Sequence, residues 1–219
     1  MASNSTPMAG SAARGRPRAA KRALKTAVRA IARVLALPGA AAAGFGRVAP
    51  SFQFFGQLLA LVPGLPGDYL RAAYYGMTLR ACSPDVRISF GTFFARSASS
   101  LGRGAYVGAF CVLGDCDIGE RTQIASHVQI LSGRHQHGRG ADGAVLGADS
   151  GRFRRVSVGE DCWIGAAAIV MADVGARSTI GAGAVVTRRV PPDTVAVGNP
   201  ARPLPRARAA GPRAEARTL

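Results

Sequence analysis

The sequence predicts an all-β solenoid, a chain coiled so that short parallel strands stack on one another, preceded by a helical segment. Three observations carry this. First, an aliphatic residue recurs every six positions at Val158, Ile164 and Val170, and again at Val174, Ile180 and Val186; the same frame runs upstream through Leu101, Val107 and Leu113 and, after a one-residue slip, through Ile118, Ile124 and Ile130. Second, a glycine follows at Gly102, Gly108, Gly114, Gly119, Gly159, Gly165, Gly175 and Gly181, where tight corners favour it. Third, the residue two before the aliphatic one is mostly small, as at Ala105, Cys111, Thr122, Cys162, Ala168 and Ala184. Six is even, so strand alternation keeps its phase and both positions point inward on every coil. A helix would need apolar residues three and four apart, a spacing this stretch lacks. Self-similarity of this kind sets the architecture before any single element is assigned.

The remaining elements follow in chain order. The first 50 residues form a basic, Ala- and Arg-rich tail, and residues 1–20 have the composition of a disordered segment. From 19 to 37 a helix is expected, with Leu24, Val28, Ile31 and Leu35 on one face and Arg22, Lys25, Arg29 and Arg33 on another. Such a basic amphipathic helix suits an anionic membrane surface. A secretory signal is the competing reading of the same segment, opposed by its long basic region and by the break expected at Pro38-Gly39. Residues 51–84 read as a helical collar over the open end of the solenoid, with a helix over 68–82; a membrane-facing patch is the alternative. Pro84 marks entry to the repeats, which span 85–203 and are interrupted by an inserted loop at 134–155 without a six-residue phase. Residues 204–219 form a basic tail.

With 219 residues, the chain suits one domain with appendages. Its formal charge of +16 is carried by arginine, the lysines being Lys21 and Lys25, and nine basic residues precede the first acidic one, Asp68. Basic ends suit an anionic partner, membrane or nucleic acid, or serve solubility alone. The cysteines Cys82, Cys111, Cys116 and Cys162 include no C-x-x-C pair, which fits reduced thiols and a cytoplasmic location, peripheral to the inner membrane face if the basic helix binds lipid. No apolar stretch reaches the roughly 18 residues a membrane span needs.

The segments IGERTQIASHVQILSGRH (118–135), VGEDCWIGAAAIV (158–170) and IGAGAVVTRRVPPDTVAVGNPAR (180–202) resemble the hexapeptide-repeat acyltransferases, and among them the galactoside- and maltose-type sugar O-acetyltransferases. The resemblance covers about Val86 to Pro203. It implies a left-handed parallel β-helix, acetyl-CoA as co-substrate without a metal, and a homotrimer with sites between subunits. It also implies transfer of an acetyl group to a sugar hydroxyl; the basic, amphipathic N-terminus points to an acceptor at the cytoplasmic membrane face, such as a surface-polysaccharide or lipid-linked glycan precursor.

Direct acyl transfer needs a base for the hydroxyl proton, and histidine suits that task near neutral pH. The histidines are His127, His135 and His137. His135 falls where the family keeps its catalytic histidine, with His137 as competitor and as a candidate acceptor contact; His127 is read as structural or peripheral. Asp115 and Asp117 lie about one coil before His135 and are candidates to orient it or to touch the acceptor. On the cofactor side the resemblance maps contacts onto Ala166, Ala182, Thr187, Arg188 and Arg202. Guanidinium pairs well with the phosphates of CoA. A second family arginine is matched by Pro205, with Arg206 one residue away, and Trp163 fits either packing or cofactor contact. The link between Val170 and Ile180 is about two residues shorter than the family's, which should shift a corner near the cofactor groove.

Two other readings remain open. A non-enzymatic β-helix scaffold could use the basic ends, but it has little reason to keep the motif at 180–202, so nucleic acid is not an expected partner. The His135-x-His137 pair invites comparison with zinc-binding γ-carbonic anhydrases, but no third ligand is evident.

Overall fold

A computed structural model describes residues 16–133, 137–147 and 153–204, and side chains from residue 21 onward. The stretch 1–15, the loop residues 134–136 and 148–152, and the basic tail from 205 lie outside the described residues.

Three helices precede the solenoid: α1 (Arg16–Ala42), α2 (Ala49–Ala60) and α3 (Gly64–Thr78). α1 runs through Pro38, where the sequence suggests a break. Its last turns are held by tertiary packing, since Ala36 and Ala40 are buried, as is Ala43 just beyond the helix, and burial of this kind overrides local propensity. α3 ends before the expected 82. Leu79 is already extended, and the Arg80 N–H reaches the Ser97 carbonyl at 2.8 Å, so the chain joins the solenoid at Ala81–Cys82 rather than after Pro84.

The solenoid makes about six turns, whose strands of two or three residues stack into three sheets of four, seven and five strands. The first coil holds β1 (Ala81–Cys82), β2 (Arg87–Ile88) and β3 (Phe93–Phe94). The second holds β4 (Ser100–Leu101), β5 (Tyr106–Val107) and β6 (Val112–Leu113), and the third β7 (Cys116–Ile118), β8 (Gln123–Ile124) and β9 (Gln129–Ile130). After the insertion come β10 (Val156–Val158), β11 (Trp163–Ile164) and β12 (Ile169–Val170), then β13 (Thr179–Ile180), β14 (Val185–Val186), β15 (Val195–Val197) and β16 (Arg202–Pro203). The stacks are β1-β4-β7-β10, β2-β5-β8-β11-β13-β15-β16 and β3-β6-β9-β12-β14. Every step is parallel except β15–β16, which closes the far end as an antiparallel pair. The insertion costs no register: Val156 pairs Cys116 and Val158 pairs Ile118.

The repeat explains the core. Every aliphatic residue of the frame is at most 3% exposed, and the small slots Ala105, Cys111, Thr122, Cys162, Ala168 and Ala184 are buried beside them. The buried hydroxyls are satisfied: Thr122 Oγ1 donates to the Gly159 carbonyl at 2.6 Å and accepts from the Cys162 N–H at 3.0 Å. Glycine at the corners follows from coil spacing, because a Cβ on Gly165 would sit 2.4 Å from the Ala182 nitrogen.

The first coil is capped by Phe52, Tyr74 and Tyr75 against Phe94, with the Tyr75 and Phe94 rings 4.9 Å apart. Tyr75 Oη accepts from the Phe94 N–H at 3.1 Å, and Tyr74 Oη donates to the Phe52 carbonyl at 2.8 Å. Arg71, fully buried, ties α3 to the end of α2 and to β2.

Candidate functional site

The inserted loop leaves and re-enters at one corner, the one that follows β9. Gly133, at φ 84°, turns the chain outward in a conformation that favours glycine. The loop returns where the Arg154 N–H donates to the Ser132 carbonyl at 2.9 Å and the Val156 N–H to the Asp115 carbonyl at 3.0 Å. Ser132 Oγ accepts the Asp115 N–H at 2.8 Å, which locks the corner to the coil below.

Ion pairs clamp this root. Arg155 Nε donates to Asp115 Oδ1 at 2.8 Å and lies 3.9 Å from Asp117 Oδ2. Asp115 raises the Arg155 pKa above its ordinary value, chiefly through that hydrogen bond. Asp117 also accepts from Arg80 and, at 2.6 Å, from Ser100 Oγ. On the coil above, Arg154 pairs with Asp173, which accepts the Ser157 N–H at 3.0 Å. Asp115 and Asp117, read from sequence as partners for a base or an acceptor, are thus engaged by arginines at the foot of the loop. Arg154, Arg155 and Asp173 were missed; the signal was the basic run RFRR (152–155) closing an otherwise small, polar insertion.

Of the histidines, His135 lies outside the described residues, in the segment that begins directly after Gly133. His137 Nδ1 lies 3.2 Å from the Leu146 carbonyl within the loop, where an Arg139–Val145 bridge pairs its two arms. His127 is remote from the loop root: it sits at the corner after β8 with its ring stacked on Phe110 at 5.2 Å. Among the described residues no three His, Cys, Asp or Glu side chains gather as a metal site.

A groove of about 570 Å³ opens at the loop root between the collar and the third stack. Arg47 and Gln53 line it from the collar side, Val112 and Ser132 from the coils, and Phe153 from the returning loop. The Arg96 guanidinium lies 4.3 Å from the Phe153 ring centre, and Gln53 Nε2 donates to the Ala95 carbonyl at 3.1 Å.

The residues mapped to the cofactor divide between two corners. Ala166 and Ala182 stack on consecutive coils at the corner after β11 and β13, both exposed, joined by the Gly183 N–H to the Ala166 carbonyl at 2.8 Å. The closing turn reaches the same side, since the Ala201 N–H donates to the Val185 carbonyl and Arg202 pairs with Val197. Thr187 and Arg188 lie past the other end of β14. Arg188 and Arg202 are both exposed. The short link after Val170 is a corner of the same stack that carries the insertion, and the step recurs after Val186, since Val174 and Val190 bridge in parallel. Trp163 is 51% exposed on the second stack, between Gln123 and Thr179.

The six-residue frame, the three stacks and the parallel register define a hexapeptide-repeat β-helix. Residues 155–188 match the family model described as the hexapeptide repeat of succinyl-transferase. In structure the chain is similar to a galactoside acetyltransferase solved in complex with coenzyme A, at 21% identity and TM-score 0.60, covering 72% of this chain and 81% of that one. It is similar as well to a hexapeptide-repeat-containing acetyltransferase of Vibrio cholerae, at 22% identity and TM-score 0.54, covering 72% and 91%. These likenesses are of fold, which is the left-handed β-helix with an N-terminal helical segment. In sequence, 110 residues are 34% identical to the bifunctional protein GlmU of Azotobacter vinelandii, covering 49% of this chain and 21% of that one. The chain spans a quarter or less of the length of the curated relatives it matches.

Proposed function

We propose that the chain is an acetyl-CoA-dependent O-acetyltransferase acting on a sugar hydroxyl, with His135 as general base. The observation that carries this is the conjunction at the loop root: the segment bearing His135 begins after Gly133, beside a groove lined by Arg47, Gln53, Arg96 and Phe153, on a solenoid whose later coils match the hexapeptide repeat of succinyl-transferase. The acceptor hydroxyl attacks the thioester carbonyl, the C–S bond breaks, and the hydroxyl proton passes to His135 and on to the departing thiolate. Acetyl-CoA supplies the activated acyl group. Small side chains at Ala166 and Ala182 leave an open corner for its pantetheine arm, and Arg188 and Arg202 offer cations to its phosphates. Asp115 and Asp117 serve this reading by clamping Arg155 and so fixing where the loop bearing His135 and His137 begins and ends. The working form is a trimer with the acceptor drawn from a lipid-linked or surface-glycan precursor, met at the cytoplasmic face of a membrane.

Thiol release from acetyl-CoA, measured with a panel of free and nucleotide-linked sugars, tests the assignment. Acceptor-dependent release should fall by about 10²–10⁴-fold in His135→Ala, the usual contribution of a positioned base, and persist in His137→Ala. Undiminished release in His135→Ala would remove His135 from the role.

A further inference from the structure

The N-terminal helix packs through a face that its pattern of large apolar residues does not mark. α1 turns Ala32, Ala36 and Ala40 into the core, with Ala43 just beyond its end, and lies chiefly along α3. Its long apolar side chains, Leu24, Ile31, Val34 and Leu35, are left 59–69% exposed. Every exposed residue of α1 from position 34 to 42 is apolar. α2 adds Phe54 and Leu58, with Leu61 just beyond, at 61, 49 and 69% exposure. So much outward apolar surface on adjacent helices is uncommon on a free surface and marks an interaction face.

Charge identifies the occupant. Lys21, Lys25, Arg29 and Arg33 follow one another at four-residue steps and form a cationic row on the α3 side of α1, beyond the edge of its apolar face. The last three, with Arg87, rim a cleft of about 350 Å³ between α1 and α3 that also holds Asp85 and Asp68, the latter already paired with Arg71 and Arg87, so the cations stay in excess. Neither α1 nor α2 contains an Asp or Glu. A second copy seated on this face would bring no carboxylate from either helix to the cations beside it. An anionic lipid surface meets both features, taking apolar side chains below its headgroups and cations among its phosphates.

We propose that the outer face of α1 and α2 docks on the anionic phospholipids of a bilayer, with the cationic row of α1 held at the headgroups. This deepens the membrane clause of the function proposed above and rests on it for its purpose, but its test reads lipid binding and not turnover.

The full chain is floated with vesicles of phosphatidylcholine alone and of phosphatidylcholine with roughly a third phosphatidylglycerol, the anionic fraction supplying the headgroup charge. Binding to the anionic vesicles is expected, weakening as salt screens the charges. Ile31→Asp combined with Leu35→Asp should lower the bound fraction by about tenfold or more, since two exposed aliphatic side chains that would enter the bilayer become two carboxylates. Lys25→Ala, Arg29→Ala and Arg33→Ala together should also lower anionic-vesicle binding by about tenfold or more, from the attraction three charges provide. Melting temperatures confirm that both variants fold.

Failure of the wild-type chain to float with anionic vesicles, or equal binding by the Ile31→Asp/Leu35→Asp chain, overturns the proposal. So does dissociation of an oligomer by that variant, seen in sedimentation, with vesicle binding unchanged, which makes the face a subunit contact. Vesicle binding without thiol release from any sugar would support this surface while removing the catalytic assignment.

Discussion

Arg71→Met tests how the helical collar is held on the solenoid. The Arg71 side chain is fully buried. Its Nη1 donates to the Leu59 and Val62 carbonyls at 2.9 and 2.7 Å, its Nε to the Ile88 carbonyl at 2.9 Å, and its Nη2 to Asp68 Oδ1 at 2.8 Å. Burial lowers the pKa of the guanidinium while Asp68 raises it. One side chain thereby joins the end of α2, the turn after it, α3 and β2. Methionine fills similar space but donates nothing, so four carbonyls, the Ala60 carbonyl at 3.5 Å being the fourth, and one carboxylate oxygen lose a buried partner. Asp68 retains Arg87 on its other oxygen at 2.8 Å, which limits the loss. Removing one member of a buried charged pair costs about 3–5 kcal/mol. In a chain of this size that corresponds to a melting temperature about 6–20 °C lower. Calorimetry on the two proteins reads the shift. A loss below about 3 °C would mean that the collar is held by the aromatic cap of Phe52, Tyr74 and Tyr75 alone, and the argument from buried polar bonds would fail.

Two further predictions follow from the core. Gly165→Ala should destabilise by about 1–3 kcal/mol or more, because the new Cβ meets the backbone of the next coil and backbone cannot yield as a side chain can. Gly76→Ala, on α3 with nothing within 4 Å of the new Cβ, should stabilise by about 0.5–1 kcal/mol; the two melting temperatures moving the same way would refute the distinction. Stability should also fall at alkaline pH. Burial pushes the Cys82 and Cys116 thiols and the Tyr74 phenol up to about 12, from ordinary values of 9.0 and 10.0. The unfolded chain therefore ionises first, so the stability from keeping these groups neutral is full below pH 9.0 and is lost as pH rises towards about 12. Urea midpoints unchanged between neutral pH and about pH 11 would show that these burials do not couple to folding.

The candidate site was partly legible. The interruption of the six-residue phase at 134–155 marks the insertion, because a broken period is visible without knowing what lies beside it. The clamp at its root was not. Arg155 and Asp115 are 40 residues apart, as are Cys116 and Val156, and they meet only because the coil after the loop resumes on the coil before it. Asp115 and Asp117 stood out as carboxylates near a histidine, and nothing local told of the arginines that would take them.

The helices show the same division. The spacing of Leu24, Ile31 and Leu35 announces an amphipathic helix, and α1 is one. Which face it buries was a question of fit. The alanine row at 32, 36, 40 and 43 allows close approach to α3, while the longer side chains remain outside. Likewise Ala81 and Cys82 carry no strand signal of their own and become β1 because Ser100 and Leu101 offer a parallel edge. The sequence by itself determined the period, the inward positions and the glycine corners, since these repeat at short range and each coil imposes the same local demand. Tertiary structure alone decided the capping contacts of Arg71, the ion pairs at the loop root and the face left outward on α1. Each of those depends on which distant surfaces meet and on the space between them, and a linear pattern carries neither.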